Sequence, residues 1–451
     1  MKKIQKFAMA FLLGAMTFGF TACSSDDNTS DEFADLDAFG QADTKVSSSD
    51  LEMQKITKVY VSDVVYPTYQ ALAANARTLY TAAATLYSAS QAGTMTQSQI
   101  DACCEAFKSA RREWERSEAW LYGSAEDGSN NIDPHIDSWP LDHDELVGAL
   151  TNSTLIAGLK GDNPAKFVSE NNEKFQSVLG FHGIEFVLFR NGENRTVAAL
   201  QANETEEGMT SVKGSDEIAF LNAVAGDIKN MTALLEYTWM GSAASTDTKK
   251  VLEENSYVFT YLSQKNGMAK GTMCWGQYLL SPSATTGYQS WPGTINQILV
   301  GGCSNICNEV QEQKLGQAYR VATGQGGTTE EGDAESIDYI ESPYSHRSFI
   351  DYKDNLYSIK NALYGTRNVD ATSPVDQSIM AYLKTNNSEL YTKMNNALTA
   401  ALQSLDDATA AQGYFVANPG SEAVGNAINK IKACDDMLNE VGQWFSKQTA
   451  K

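Results

Sequence analysis

Two ionisable residues in an otherwise apolar segment mark the first place where this sequence could do chemistry. His182 and Glu185 lie within residues 175–190, which read FQSVLGFHGIEFVLFR. Apolar side chains occupy almost every other position, so the segment is predicted to be a buried helix. A spacing of three residues places the imidazole and the carboxyl group on neighbouring points of one helix face. Because an unpaired buried charge is costly, we expect them to pair with each other, with other side chains or with a bound ion.

Glycines on both sides of the histidine carry a second signal. Gly180 and Gly183 flank His182, and glycine lowers helix stability, so its presence indicates close approach by another backbone or by a ligand. A buried His–Glu pair without any ligand explains the same pattern, because structural ion pairs also occur in apolar helices. Both interpretations stay open at this point.

A second group of possible ligands lies in residues 127–142, DGSNNIDPHIDSWPLD. The glycine, asparagines and two prolines predict a structured loop rather than a helix. The aspartate in the middle of this loop can be either a helix N-cap or a site residue, and Trp139-Pro140 is expected to form a packed corner. The possible oxygen and nitrogen ligands here are Asp133, His135, Asp137, Asp142 and, just after the loop, His143.

The elements that must position these residues are predicted to be helices throughout. A helix over Gln97–Tyr122 places Arg111, Trp114 and Glu118 along one side, and Asp351 and Asn355 are four apart on a later helix. Strand signals are weak, so the protein is predicted to be all-α. Further helices are predicted from Leu51 through a kink at Pro67, and over residues 216–240 (amphipathic), 250–262, the latter part of 291–315, 375–403 and 423–447.

Three segments together resemble the imelysin-like family. The first is the G-x-H-x-x-E motif of Gly180, His182 and Glu185. The second is a helix and loop formed by Arg111, Trp114, Ser117, Glu118, Ala119 and Trp120, followed by Asp133, Pro134, Ile136, Asp137, Trp139, Pro140, Leu141 and Asp142. The third is formed by Glu341, Ser342, Tyr344, Ser345, Asp351, Asn355, Ile359, Asn361, Tyr364 and Gly365. The third segment departs from the family pattern at Pro343, His346 and Arg347.

The resemblance covers most of residues 50–449 and implies an architecture. It implies two related helical-bundle halves, a pseudo-duplication, with the G-x-H-x-x-E motif at their junction. We expect the N-terminal bundle to span residues 49–210 and the C-terminal bundle residues 211–451.

Metal binding is the function that these residues favour. His182 and Glu185 supply at most two ligands, because one helix presents both, and imidazole with carboxylates suits iron, zinc or manganese. Further ligands are expected from Glu118, Asp137, or Ser345 and Asp351. Arg111 or Asn355 would orient these ligands through hydrogen bonds without contacting the ion. The link of the family to iron-regulated uptake implies iron before zinc.

Two alternatives remain. The family resemblance also implies a metal-dependent peptidase with His182 and Glu185 as catalytic residues. Zinc peptidases pair two helical histidines with a glutamate, but here Phe186 takes the place of a second histidine, so His135, His143 or His346 would have to complete the set. The other alternative is a cleft that binds a peptide or small anion, with Arg111 as its clamp.

The net charge and the N-terminal residues bear on the binding partners and the cellular location of the protein. A formal net charge of −22 over 451 residues argues against nucleic acid and against adsorption on anionic lipid. Residues 1–22 are predicted to be a signal peptide, with Lys2, Lys3 and Lys6 before an apolar run. The residues before Cys23 resemble a bacterial lipobox, although Phe20 replaces the usual leucine. The resemblance implies acylation of Cys23 and an outer-membrane lipoprotein, periplasmic or surface-exposed.

Two further predictions concern the segment that follows the lipidation site and the six other cysteines. Residues 23–48 are acidic and serine-rich, so they are predicted to be a disordered tether. The six further cysteines contain no C-x-x-C pair, which disfavours a zinc ribbon. They are expected either as buried free thiols or as disulfides, for example between one of Cys103 and Cys104 and one of Cys274 and Cys434.

Overall fold

The computed structural model describes residues 47–126, 132–258, 273–283, 288–329 and 332–448. Within them helices dominate, and the only sheet is one two-stranded ribbon, which confirms the all-α prediction. The predicted signal peptide, Cys23 and nearly all of the predicted tether lie outside the described residues, as do parts of the predicted loop 127–142 and helix 250–262.

The first part of the chain contains eleven helices and the ribbon. The helices are α1 (Ser48–Val59), α2 (Tyr66–Gln91), α3 (Gln97–Glu115), α4 (Asp133–Ile136), α5 (His143–Thr151), α6 (Ser153–Leu159), α7 (Pro164–Glu170), α8 (Gly180–Leu188), α9 (Val197–Gln201), α10 (Gly214–Met240) and α11 (Thr246–Glu254). Strands β1 (Phe189–Arg190) and β2 (Glu193–Asn194) pair antiparallel directly after α8. Short 3₁₀ turns cover Glu118–Trp120, Asn172–Lys174, Gly241–Ala243 and Ser256–Val258.

The described residues from 273 onward are also mainly helical. Its helices are α12 (Trp275–Leu279), α13 (Trp291–Asn296), α14 (Asn305–Glu309), α15 (Gly316–Ala322), α16 (Ser348–Tyr364), α17 (Ile379–Asn386), α18 (Ser388–Gln412) and α19 (Glu422–Ser446). A 3₁₀ turn covers Phe415–Ala417, and π-helical turns cover Tyr60–Val65, Gln297–Ser304 and Val310–Lys314.

Helix α10 is buried on nearly every side. A helix was correctly predicted over residues 216–240, but the prediction that it is amphipathic is wrong. Of its 27 residues, 24 are buried, and it packs against α2, α7, α8 and α11. Asp227 and Glu236 lie among these buried residues, and each has a polar group within hydrogen-bonding distance. His135 Nδ1 lies 2.6 Å from Asp227, and Ser245 donates its backbone N–H to Glu236 at 2.6 Å. Those polar residues lowered the apparent hydrophobicity of a helix that is central to the core.

Two predicted helix boundaries change for local reasons. The helix predicted over 97–122 ends at Glu115 and gives way to a 3₁₀ turn. The helix predicted over 175–190 covers only Gly180–Leu188, because Leu179 is extended and Gly180 has a φ of +77°. Pro67 lies directly after the π-helical turn Tyr60–Val65, which joins α1 to α2 in one continuous helical run. Proline lacks the N–H of a regular helix, so an irregular turn is expected at this position, where the sequence predicted a kink.

Helix α3 is the element that connects the parts of the chain bearing the predicted site. It packs against α8 on one side and against α16 on another. Helix α16 in turn packs against α18, which pairs along its length with α19. The described residues from 47 onward pack as one compact unit. The division into related halves at residue 210 stays a prediction.

The cysteines and the helix lengths complete the description. All six described cysteines are buried free thiols, as in one of the two predicted alternatives. Cys104 lies against the carbonyl of Leu188, and Cys307 against the carbonyl of Ile431. Among the residues that the structure describes, no helix combines the length and apolarity needed to span a bilayer.

Candidate metal centre

Helix α3 brings a buried arginine to the centre of the candidate site. Arg111 is fully buried, and its Nε lies 2.5 Å from Oε1 of Glu115, one helical turn later. Its guanidinium also forms an ion pair with Asp137, and Glu341 Oε1 and Asp351 Oδ2 lie at 3.5 and 3.6 Å. Because four carboxyl groups already surround Arg111, the predicted role as a clamp for a small anion does not fit the structure.

Asp137 connects α3 with the histidine of α8. It directly follows α4, and its Oδ2 accepts a hydrogen bond of 2.8 Å from Trp114 Nε1. Its Oδ1 pairs with Arg111 and lies 3.0 Å from His182 Nε2. It is the C-cap residue of α4 and its side chain caps the N-terminus of no described helix, so the N-cap alternative is wrong for Asp137. Asp142 has that role, because it accepts from the backbone N–H of Glu145 at the start of α5.

Gly180 allows α8 to approach the loop that carries Asp137. A Cβ atom on Gly180 would lie 2.1 Å from the carbonyl oxygen of Ile136, which no side chain can tolerate. The positive φ of this residue is also one that glycine adopts freely. The close approach predicted from this glycine is therefore an approach of backbone to backbone, and it places His182 beside Asp137. Trp139 packs on the imidazole with ring centroids 4.7 Å apart, in keeping with a packed corner.

His182 and Glu185 have different partners, although their helical spacing suggested a pair. Glu185 Oε1 accepts two hydrogen bonds of 2.7 Å from Ser345, one from the backbone N–H and one from the hydroxyl. Its Oε2 is buried and accepts no hydrogen bond within the described part of the chain. His182 Nε2 lies 3.0 Å from Asp137 Oδ1 and has no hydrogen-bond partner in that part of the chain.

The segment before α16 supplies further acid groups. Glu341 is buried, and its Oε1 lies 3.2 Å from Lys314 Nζ. Its Oε2 accepts no hydrogen bond from any residue that the structure describes. Ser342 has a φ of +51° and donates to Asp351 Oδ2 at 2.5 Å. Asn355, one turn further on, donates to Glu115 Oε2 at 2.5 Å. Asp351 and Asn355 therefore hold the acids and Arg111 in place.

Two sets of side chains could hold a cation among the described residues. Each offers three ligand atoms within 4.8 Å of one another: Asp137, His182 and Glu341 in one set, and Glu115, Glu118 and Asp137 in the other. The first set fits a transition metal better, because it combines an imidazole with carboxylates. Ligands on one tetrahedral or octahedral ion are about 3 Å apart, which agrees with the 3.0 Å between His182 Nε2 and Asp137 Oδ1. Glu185 belongs to neither set.

The electrostatics of this cluster favour a bound cation. Five buried or nearly buried carboxyl groups surround two cationic side chains, Arg111 and Lys314; they belong to Glu115, Glu118, Asp137, Glu341 and Asp351. Burial raises the pKa of Glu115 and of Glu118 well above the ordinary value. Burial also acts on Asp137, but Arg111 and then His182 outweigh it and hold its pKa below the usual range. A bound cation would supply the positive charge that these acids lack.

The other three histidines lie outside this cluster. His135 Nδ1 is 2.6 Å from Asp227, and His143 pairs with the hydroxyl of Tyr344. His346 stacks on Tyr414 with ring centroids 3.9 Å apart. Because all of them are engaged elsewhere, none completes the two-histidine zinc site that the peptidase alternative requires.

Three charged residues of the cluster carry no site role in the sequence-based prediction. Glu115 lies one turn after Arg111, and that spacing is a signal that could have identified it. Glu341 begins the third family-like segment, but only the fold brings its carboxyl group beside His182. Lys314 has no distinguishing sequence context at all.

Comparisons with known proteins identify the family and the fold. An imelysin family model matches residues 65–441. Iron-regulated protein A of Synechococcus elongatus is 29% identical over 130 residues, which are 29% of this chain and 30% of that protein. A crystal structure described as a putative iron-regulated protein A precursor from Parabacteroides distasonis has a TM-score of 0.64 at 23% identity, covering 90% of this chain and 98% of its own, so the two share a fold.

A second crystal structure, described as an imelysin peptidase from Bacteroides ovatus, is 25% identical with a TM-score of 0.33, over 40% of this chain and 47% of its own. The family model, by contrast, extends across most of the described residues and includes all of the residues that form the buried cluster. The chain therefore belongs to the imelysin family.

Proposed function

We propose that this protein binds one transition-metal ion, with iron as the expected metal and zinc as the alternative, between Asp137, His182 and Glu341. One observation carries the proposal: the partly buried Asp137 and the buried His182 and Glu341 present ligand atoms within 4.8 Å of one another, while His182 Nε2 and Glu341 Oε2 make no hydrogen bond among the described residues. Buried polar atoms are nearly always paired, so such atoms point to a missing partner.

The surrounding side chains would hold the ligands in place. Trp114 and Arg111 bind the Asp137 carboxylate, which fixes its orientation. Trp139 covers the face of the imidazole. Glu185, held by Ser345, is then a neighbour of the ion rather than a ligand. The names of the similar proteins, which refer to iron regulation, support iron before zinc.

Metal analysis of the purified protein tests this proposal. We expect wild type, purified without chelator and then titrated with Fe²⁺ under anaerobic conditions or with Zn²⁺, to bind one ion per chain. His182→Ala should weaken binding by on the order of 100-fold or more, because it removes a direct ligand. His346→Ala, which alters a histidine stacked on Tyr414 outside the cluster, should bind like wild type. Equal binding by wild type and His182→Ala would contradict the proposal.

We further propose that the protein acts in the cell envelope as an outer-membrane lipoprotein with a role in iron uptake, anchored through acylated Cys23 and either periplasmic or surface-exposed. The signal peptide and lipobox-like sequence before Cys23 support this location. A strong negative charge also suits attraction of cations from solution.

The peptidase alternative has weaker support from this structure, because His135, His143 and His346 lie apart from His182. It is tested by incubating the metal-loaded protein and its Glu185→Gln variant with an unfolded protein substrate. Cleavage by wild type that the variant loses would favour a peptidase over a binding protein.

A further inference from the structure

Lys314 lies in a cage of oxygen atoms at the edge of the candidate metal centre. Its side chain is only 3% exposed, and its Nζ is 3.2 Å from Glu341, 3.8 Å from Glu309 and 3.9 Å from Glu118. It also donates a hydrogen bond of 3.4 Å to Asn355 Oδ1. The backbone at this position is held as well, because Tyr352 donates its hydroxyl hydrogen to the Lys314 carbonyl.

Two of the three acids around Lys314 also belong to the sets that could hold a metal. Glu341 belongs to the set with His182, and Glu118 belongs to the set with Glu115, while Asp137 is common to both sets. The two sets therefore form one continuous cluster, and the ammonium group contacts a member of each. In two-metal sites, a carboxylate that is shared in this way bridges the two ions.

We propose that the Lys314 ammonium group is a built-in second cation, which occupies the position that a second metal ion would otherwise take and so limits the site to one exchangeable ion. Carboxylate and amide oxygens surround Nζ, and these are ligands that suit hard divalent cations. Nζ lies 3.2–3.9 Å from the carboxylate oxygens, which is within ion-pair distance. Metal–oxygen bonds are about 2.0–2.6 Å, so the cage would contract around an ion once the lysine is removed.

This inference rests on the proposed function and concerns the number of ions bound. The side chain of Lys314→Met has a similar length but no charge, so this variant should bind one ion more per chain than wild type in equilibrium dialysis against Zn²⁺. Lys314→Arg keeps the charge and should bind as many ions as wild type. Lys353→Met, which removes a lysine paired with Asp406 at the surface, is the matched control. Adding Glu118→Gln to Lys314→Met should abolish the extra ion.

The outcomes separate the two proposals. One ion in wild type and one in a folded Lys314→Met contradict this inference alone, whereas no ion in wild type contradicts the proposed function. If Lys314→Met needs metal to fold, refolding in excess Zn²⁺ should yield protein with two ions per chain. Refolded protein with a single ion, or a variant that stays unfolded in Zn²⁺, also overturns the inference.

Discussion

Asp137 shows how much depends on a single residue in this cluster. Its two oxygen atoms contact a tryptophan N–H, a guanidinium and an imidazole, contributed by α3 and α8. It also belongs to both sets of possible metal ligands. A carboxylate with so many partners has no freedom to reorient, which is the requirement for a preorganised ligand.

A second carboxyl group near the cluster predicts a pH dependence of stability. Asp354, on α16, accepts a hydrogen bond of 2.7 Å from Arg116 Nε. Burial nevertheless raises its pKa from 3.8 to about 6. The folded protein therefore keeps a proton that the unfolded chain releases near pH 3.8. This stabilising contribution is complete below pH 3.8 and is lost as the pH rises through about 6.

The test compares urea unfolding of wild type and Asp354→Asn at pH 4 and pH 7, with chelator present. A shift of about two pKa units corresponds to about 3 kcal/mol. The free energy of unfolding of wild type, relative to the variant, should therefore fall by up to about that amount between the two pH values. An unchanged difference at both pH values would show that Asp354 ionises normally in the folded protein.

At the scale of elements, the junction between α8 and the loop after α4 decides whether the ligands meet. The N-terminus of α8 touches the carbonyl of Ile136 through Gly180, where no Cβ fits. This one backbone contact sets the distance between His182 and Asp137. Helix α3, which packs against both α8 and α16, supplies the common support.

We therefore predict that Gly180→Ala both destabilises the protein and weakens metal binding. The added methyl group must displace α8 or the loop, and a side chain at this φ adds strain, so the free energy of unfolding should fall by about 2 kcal/mol or more. Metal affinity should fall at least tenfold, because the ligands separate. Urea unfolding and metal titration measure the two effects.

Gly148→Ala is the matched control for that substitution. Gly148 lies inside α5, and an added Cβ would meet nothing within 4 Å. Alanine is the better helix former there, so this variant should be about 0.5–1 kcal/mol more stable than wild type, with unchanged metal binding. If both glycine variants behaved alike, the close contact at Gly180 would not be the determinant.

At the scale of the whole molecule, the proposed lipid anchor would determine where the proposed metal centre works. We predict that the protein expressed in a bacterial host with lipoprotein processing partitions into the detergent phase of a Triton X-114 extraction. Cys23→Ser should move it to the aqueous phase, because the acylated thiol is lost. Cys274→Ser, which changes a buried cysteine in the folded region, should partition like wild type. Detergent-phase recovery of Cys23→Ser would contradict the anchor.

The sequence by itself determined the fold class, the family and the identity of most charged residues in the cluster. Helical periodicity is a local property, and the three family-like segments are short, so both can be recognised without knowing which elements touch. The ends of the helices were harder to predict from the sequence. The helix predicted over 175–190 begins only at Gly180, and polar residues within α10 concealed its central position.

Only the tertiary structure decided which side chains meet. The spacing of His182 and Glu185 suggested a pair, yet His182 lies beside Asp137 while Glu185 accepts hydrogen bonds from Ser345, far along the chain. Glu341 and Lys314 join the cluster from elements whose approach no local pattern encodes. The physical reason is that burial obliges each charge to find a partner, but the chain can meet that demand in many ways, and the packing of α3 between α8 and α16 selects one of them.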